Sequence, residues 1–264
     1  MKVKWIQLCM ILILLAPINV MAKQMSPIDK LDEISDEALQ MVKVEKYDDA
    51  KKLLDYFSKE FTSLSGYEHL LTMDQLRIVS VSHDDAVEAT VSPNMKYQER
   101  MNRLTTFRLV IDAVSSDHQP LWTGMKDQVM ATLHHAKSDI QHHDSPKFNK
   151  DLNSFMSLYN IIYPSMKIDI PAETIQKLDA QIDFIDDYRS EMIGNSKNIN
   201  ELSGLTDDLQ KLFDDMSEDQ TDPSIWWVII STGSIIIMTL SYVGFRKYQG
   251  DKASRKSRSR VQKY

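Results

Sequence analysis

The 264-residue sequence predicts an all-α protein: an extracytoplasmic multi-helix bundle or hairpin array with one C-terminal transmembrane helix. Three observations carry that expectation. Residues 23–224 hold only four glycines, Gly66, Gly124, Gly194 and Gly204, so few helix breakers interrupt them. Apolar residues in that stretch recur at a spacing close to 3.6. Residues 225–245 form an uncharged run of 21 residues, which as a helix spans roughly 31 Å, the thickness of a hydrocarbon layer.

The elements follow in chain order. Lys2 and Lys4 precede an apolar run over 5–16, Pro17 and Asn19 break it, and Val20, Met21 and Ala22 offer a cleavage site, so residues 1–22 read as a signal peptide. The single cysteine, Cys9, lies inside that run, and cleavage would leave no disulfide, thiol nucleophile or thiolate ligand. Residues 23–213 form the helical ectodomain. Within it Ser26-Pro27, Ser92-Pro93 and Ser145-Pro146 each read as a serine N-cap followed by proline at the first helical position. Pro93, Pro120, Pro146 and Pro171 mark intervals that each fit a helix of about 20 residues plus a turn.

Residues 38–61, with Tyr47, Ala50, Leu54 and Phe57, predict a helical hairpin with a short break. Residues 76–91 contain Ile78-Val79-Ser80-Val81, a strand-like run, but with no partner strand in view a helix is expected. Residues 107–114 are apolar around most of the helix circumference and predict a helix surrounded by others. Arg108 and Asp112 lie four apart there and are expected to pair along that helix. Trp122, Met125, Val129, Leu133, Ala136 and Ile140 keep to one helical stripe. Ile175, Leu178, Ile182, Ile185 and Met192, interrupted by Arg189, predict a further helix. Leu202, Leu205, Leu209, Leu212 and Met216 predict its antiparallel partner, with the turn at Gly194.

Charge is strongly segregated. Residues 1–22 carry +2, residues 23–224 carry −16 and residues 246–264 carry +7, for a total of −7. An acidic body repels the phosphate backbone, so nucleic acid is excluded as its partner. Residues 214–224 read as an acidic stalk, 225–245 as the transmembrane helix bordered by Trp226, Trp227, Tyr242 and Phe245, and 246–264 as a basic tail. The positive-inside bias places the tail in the cytoplasm and the body outside, in a single-pass cell-membrane protein. The tail is too short to fold into an output domain, and its Arg and Lys can hold anionic lipid headgroups.

Chemistry is sparsely signalled. The sequence lacks GxSxG, HExxH, GxxxxGK[ST] and CxxC motifs, and no catalytic, cofactor-binding or metal-ligating residue is assigned. His134, His135, His142 and His143 cluster around Asp139 and form the alternative, an extracytoplasmic metal-binding or sensing module. Helix geometry separates His135 from His142 by about 10 Å along the axis, too far to share one ion.

The run Arg103-Leu104-Thr105-Thr106-Phe107-Arg108-Leu109-Val110-Ile111-Asp112-Ala113-Val114, then Pro120-Leu121-Trp122, resembles the sporulation protein YpjB family, as does the order of signal peptide, helical body, late span and basic tail. The resemblance implies a membrane protein linked to sporulation and brings no catalytic residues with it. The expectation is therefore a non-enzymatic protein without cofactor, whose ectodomain docks a protein partner or the cell envelope during spore formation.

Overall fold

The structure, a computed structural model, describes residues 26–65, 71–115, 119–193 and 196–218, together with five helical positions, Ser234, Ile237, Thr239, Ser241 and Tyr242. The expected signal peptide, the basic tail and most of the expected membrane span lie outside the described residues. Among the described residues no helix is long and apolar enough to cross a membrane.

Eight α-helices and no strand are found among the described residues: α1 (Pro27–Lys43), α2 (Tyr47–Ser65), α3 (Met73–Val91), α4 (Tyr97–Ser115), α5 (Lys126–Gln141), α6 (Ser145–Asp169), α7 (Ala172–Asp187) and α8 (Ser196–Glu218). A 3-10 helix, Leu121–Met125, leads into α5, and a shorter one, Arg189–Glu191, follows α7. The strand-like run at Ile78 is helical, as expected, because its buried residues recur at helical spacing.

Caps decide where the helices start. Ser26 accepts from the Asp29 N–H at 3.0 Å while Asp29 accepts from the Ser26 N–H at 3.0 Å, and Pro27 occupies the first turn. The other two Ser-Pro pairs behave differently from expectation. Ser92 is the C-cap of α3, and α4 starts only at Tyr97, so Pro93 belongs to the turn. At α6 the N-cap is Asp144, whose carboxylate accepts from the Lys147 N–H at 3.2 Å, and Ser145 is already helical. Pro164 lies inside α6 without ending it; the flanking Ile162, Ser165 and Met166 are buried, and that packing outweighs the ~3 kcal/mol a mid-helix proline costs. The α7 helix stops at Asp187, short of the expected Met192. At the other boundary α8 runs on through Asp214 and Asp215, so the first residues assigned to the stalk are helical.

Two apolar cores share one helix. In the first, α1 to α4 enclose Leu54, Phe57, Val79 and Leu104, with Phe57 edge-on to Phe107 at 4.9 Å between ring centroids. In the second, the Leu121–Met125 turn and α5 to α8 enclose Trp122, Leu133, Phe155 and Leu209. The α4 helix gives Phe107, Val110 and Ile111 to the first core and Leu109 to the second. That dual burial is the reason for the all-round apolar pattern of residues 107–114. In the second core Asp179 of α7 accepts from two α6 hydroxyls, Tyr159 at 3.2 Å and Tyr163 at 2.8 Å.

The joint between the cores corrects the expected Arg108–Asp112 pair. Arg108 reaches across to α1, where its two terminal nitrogens donate to Asp32 at 2.6 and 3.2 Å. Asp112 instead accepts from the Leu121 N–H at 2.8 Å and so starts the 3-10 helix. The choice follows from reach: the extended guanidinium forks onto a facing carboxylate with two parallel bonds, which a neighbour on its own helix does not offer. The next residue, Trp122, is fully buried, donates its indole N–H to Asp169 at 2.8 Å and packs against Phe213 of α8 at 5.3 Å.

Successive helices alternate in direction. Ser115 at the end of α4 donates to Asp32 near the start of α1 at 3.1 Å, Trp122 contacts the ends of α6 and α8, and Lys126 pairs with Asp214. The start of α1 and the end of α8 therefore lie at one pole of the body. The turns between α1 and α2 and between α3 and α4 lie at the opposite pole.

Candidate docking face

The α3 helix carries apolar residues on both sides. Thr72 and Gln75 close its N-terminus reciprocally, at 3.2 and 2.9 Å. Its inner face, with Val79, Ser82, Ala86 and Ala89, is buried against α2 and α4. On the outer face Met73 is 80% exposed, Val81 56% and Val91 52%. At about 100° per residue, Met73 and Val91 share an azimuth and Val81 lies within about 80° of them, so the three form one stripe about 27 Å long. Isolated exposed apolar side chains are ordinary; here three share one face of a single helix, about 12 and 15 Å apart along its axis, with Arg77, Asp84 and Glu88 between them.

Acidic groups lie among them. Asp84 and Glu88 fall inside the stripe, with side chains 85% and 60% exposed. Asp85 lies at its α4 edge. One cation answers them from α4: Arg103 donates to Glu88 at 2.6 Å and to Glu99 at 3.1 Å and lies 3.9 Å from Asp85. The arginine is held in its charged form by Glu88 first among these partners.

Beside the stripe a groove of about 370 Å³ opens between α2 and α3, with the buried Phe57 and Val79 at its floor, Phe61, Leu76 and His83 on its walls, and Ser58, Thr62, Ser80 and Asp84 adding polar lining. Phe57 stacks on Phe61 at 5.6 Å and on His83 at 5.5 Å. His83 Nε2 lies 3.0 Å from the Leu54 carbonyl oxygen, which only accepts, so Nε2 bears the proton and the ring is fixed as part of the wall. A second groove, of about 520 Å³, lies at the pole of the α1–α2 and α3–α4 turns. Its floor is closed: Arg100 stacks over the Tyr47 ring at 4.5 Å, donates to Met95 O at 3.1 Å and also donates to the Ala89 and Ser92 carbonyls that end α3. The guanidinium thus satisfies carbonyls that a helix end leaves orphaned.

The histidine cluster disperses. His134 and His135 are exposed on α5, and His135 Nδ1 lies 3.9 Å from Asp151 of α6. His142 caps α5 and directs Nδ1 to the Ser138 carbonyl at 2.8 Å, while His143 takes the left-handed turn conformation, φ 56°. Asp139 faces Asp151 and Asp144; burial and then their charge push its carboxyl above the usual range. Among the described residues no group of three or more His, Cys, Asp or Glu is disposed to hold a metal ion.

The family model of the sporulation protein YpjB (SpoYpjB) matches residues 28–257. The chain belongs to the sporulation protein YpjB family. The uncharacterized protein YpjB of Bacillus subtilis (strain 168) is 34% identical over 242 residues, covering 91% of this chain and 92% of the relative. No solved structure matches the chain. The YpjB match covers α1 from residue 28, all of α2 to α8, and continues through the apolar segment 225–245, so the resemblance expected from the central run and the order of segments holds along most of the chain. The α3 face had one legible signal, the Ile78-Val79-Ser80-Val81 run, which on a helix necessarily puts apolar side chains on opposite sides.

Proposed function

We propose that this YpjB-family chain is a single-pass membrane protein that acts without catalysis, its helical body held outside the cytoplasm to dock a protein partner during spore formation. The observation that carries the docking role is the exposed stripe of Met73, Val81 and Val91 beside the α2–α3 groove, on a body whose other large apolar side chains mostly fill two cores. Membrane attachment is supported by the uncharged run at 225–245 with the basic segment after it. The acidic body accords with that placement, since it is repelled by an anionic leaflet.

Photocrosslinking in sporulating cells tests the docking role. A photoreactive residue at Val81 is expected to give one discrete protein adduct, whereas the same residue at the exposed Lys150 on α6 gives none. Equal labelling from both positions refutes it. Protease treatment of intact protoplasts tests topology: the body is expected to be digested and an epitope after Tyr264 spared.

A further inference from the structure

Resting on the docking reading, we propose that the occupant of the α2–α3 groove and the α3 stripe is a basic amphipathic helix of a protein partner. Three features of the face select that chemistry. The groove is held in shape from within, Phe57 and Phe61 by stacking and His83 by its bond to Leu54 O, so it offers a preformed slot whose mixed lining, apolar from Phe61 and Leu76 and polar from Ser58, Ser80 and Asp84, suits an amphipathic side chain with an aliphatic stem and a cationic head. The exposed apolar positions of α3 spread over one face about 27 Å long, a length that a partner α-helix of about 18 residues laid alongside would cover. An extended strand has nothing to pair with on a helical surface, because α3 spends its backbone groups on itself.

Charge decides the rest. Asp84 and Glu88 lie within the stripe and Asp85 at its α4 edge, and the one arginine reaching over from α4 is divided among Asp85, Glu88 and Glu99. Arg77 is exposed within the stripe, between Met73 and Val81, and offsets one of the three carboxylates. The face is thus left with net negative charge, at a site where an apolar partner without cations would strand carboxylates at its rim. The same carboxylates disfavour an anionic lipid surface and a second copy of this acidic face. A helix with Lys or Arg flanking an apolar stripe meets both requirements.

The test uses the full-length chain in sporulating cells, with a photoreactive residue at Val81 and sequencing of the crosslinked segment. The expected result is a segment of another protein with net positive charge and apolar residues at helical period. Asp84→Lys combined with Glu88→Lys is expected to cut the adduct by about tenfold or more, since like charges then face each other. Both positions are exposed, and an unchanged thermal transition of that variant shows that the fold is intact. An adduct to a second copy of this chain, or to an acidic or non-helical segment, overturns the inference but leaves docking standing, and an adduct to lipid alone overturns both. Absence of any adduct from Val81, Met73 and Val91 overturns both.

Discussion

Trp122 donates its indole N–H to Asp169 across 2.8 Å, joining the turn that follows α4 to the end of α6 while its ring packs on α8. Burial pushes the Asp169 carboxyl up to about 6; the Trp122 bond opposes that shift and the charge of Asp112 adds to it. The native state therefore holds a proton here more tightly than the unfolded chain does. This raises stability at acid pH, and the gain fades as pH climbs from about 4 through 6.

Asp169→Asn keeps an oxygen for Trp122 and removes the charge. It is expected to stabilise the protein at pH 8 by about 1–2 kcal/mol, allowing for solvent screening at this half-buried site, and to make little difference at pH 4. Thermal unfolding of both proteins at the two pH values checks this. A variant less stable at pH 8 would show that Asp169 is needed as a charge.

Asp32 and Asp112 are expected to respond oppositely to amide substitution. Asp32→Asn weakens the two-bond pair with Arg108 and should cost about 1–3 kcal/mol. Asp112→Asn keeps the acceptor for the Leu121 N–H and relieves a carboxylate that burial holds above its usual range, so it should be near neutral or mildly stabilising at pH 7. Urea midpoints of the two variants decide it, and equal losses would restore the intrahelical Arg108–Asp112 pair.

Arg100→Met leaves the Ala89, Ser92 and Met95 carbonyls without their donor and is expected to cost about 2–4 kcal/mol. Arg100→Lys should recover only part, since an ammonium lacks the planar fork. Hydrogen exchange should show the last turn of α3 opening first, and uniform loosening of the body would contradict the capping role.

Tyr163 is expected to stay protonated well past its ordinary range. Burial, then the bond to Asp179 and that group's charge, push it up to about 12. The unfolded chain loses this proton near 10, so the stabilisation fades as pH rises from about 10 through 12. A difference spectrum of wild type against Tyr163→Phe, recorded from pH 9 to 12.5, follows it directly, and ionisation near 10 would mean the hydroxyl faces solvent.

Periodicity made most of the fold legible. The stripe from Trp122 to Ile140 is buried as written, and residues 107–114 are surrounded because two cores claim their opposite sides. Partnerships across long separations were not legible. Arg108 had carboxylates in reach both along its helix and across a gap of 76 residues, and spacing cannot rank a neighbour against a residue brought near only by folding. Ser-Pro was ambiguous for a similar reason: after a helix, Ser92 closes it, and before one, Ser26 opens it. The outer face of α3 stayed hidden because an apolar residue reads the same in sequence whether it points inward, like Val79, or outward, like Val81.

The start of α1 and the end of α8 leave the body at the same pole, which sets how the body answers mechanical load. Tension applied between those two points peels helices apart one contact at a time, beginning at Asp32–Ser115 and Trp122–Phe213, instead of shearing whole interfaces at once. The body should therefore yield at low force from its own ends, while a partner pulling on α3 would load the cores broadside and meet far greater resistance.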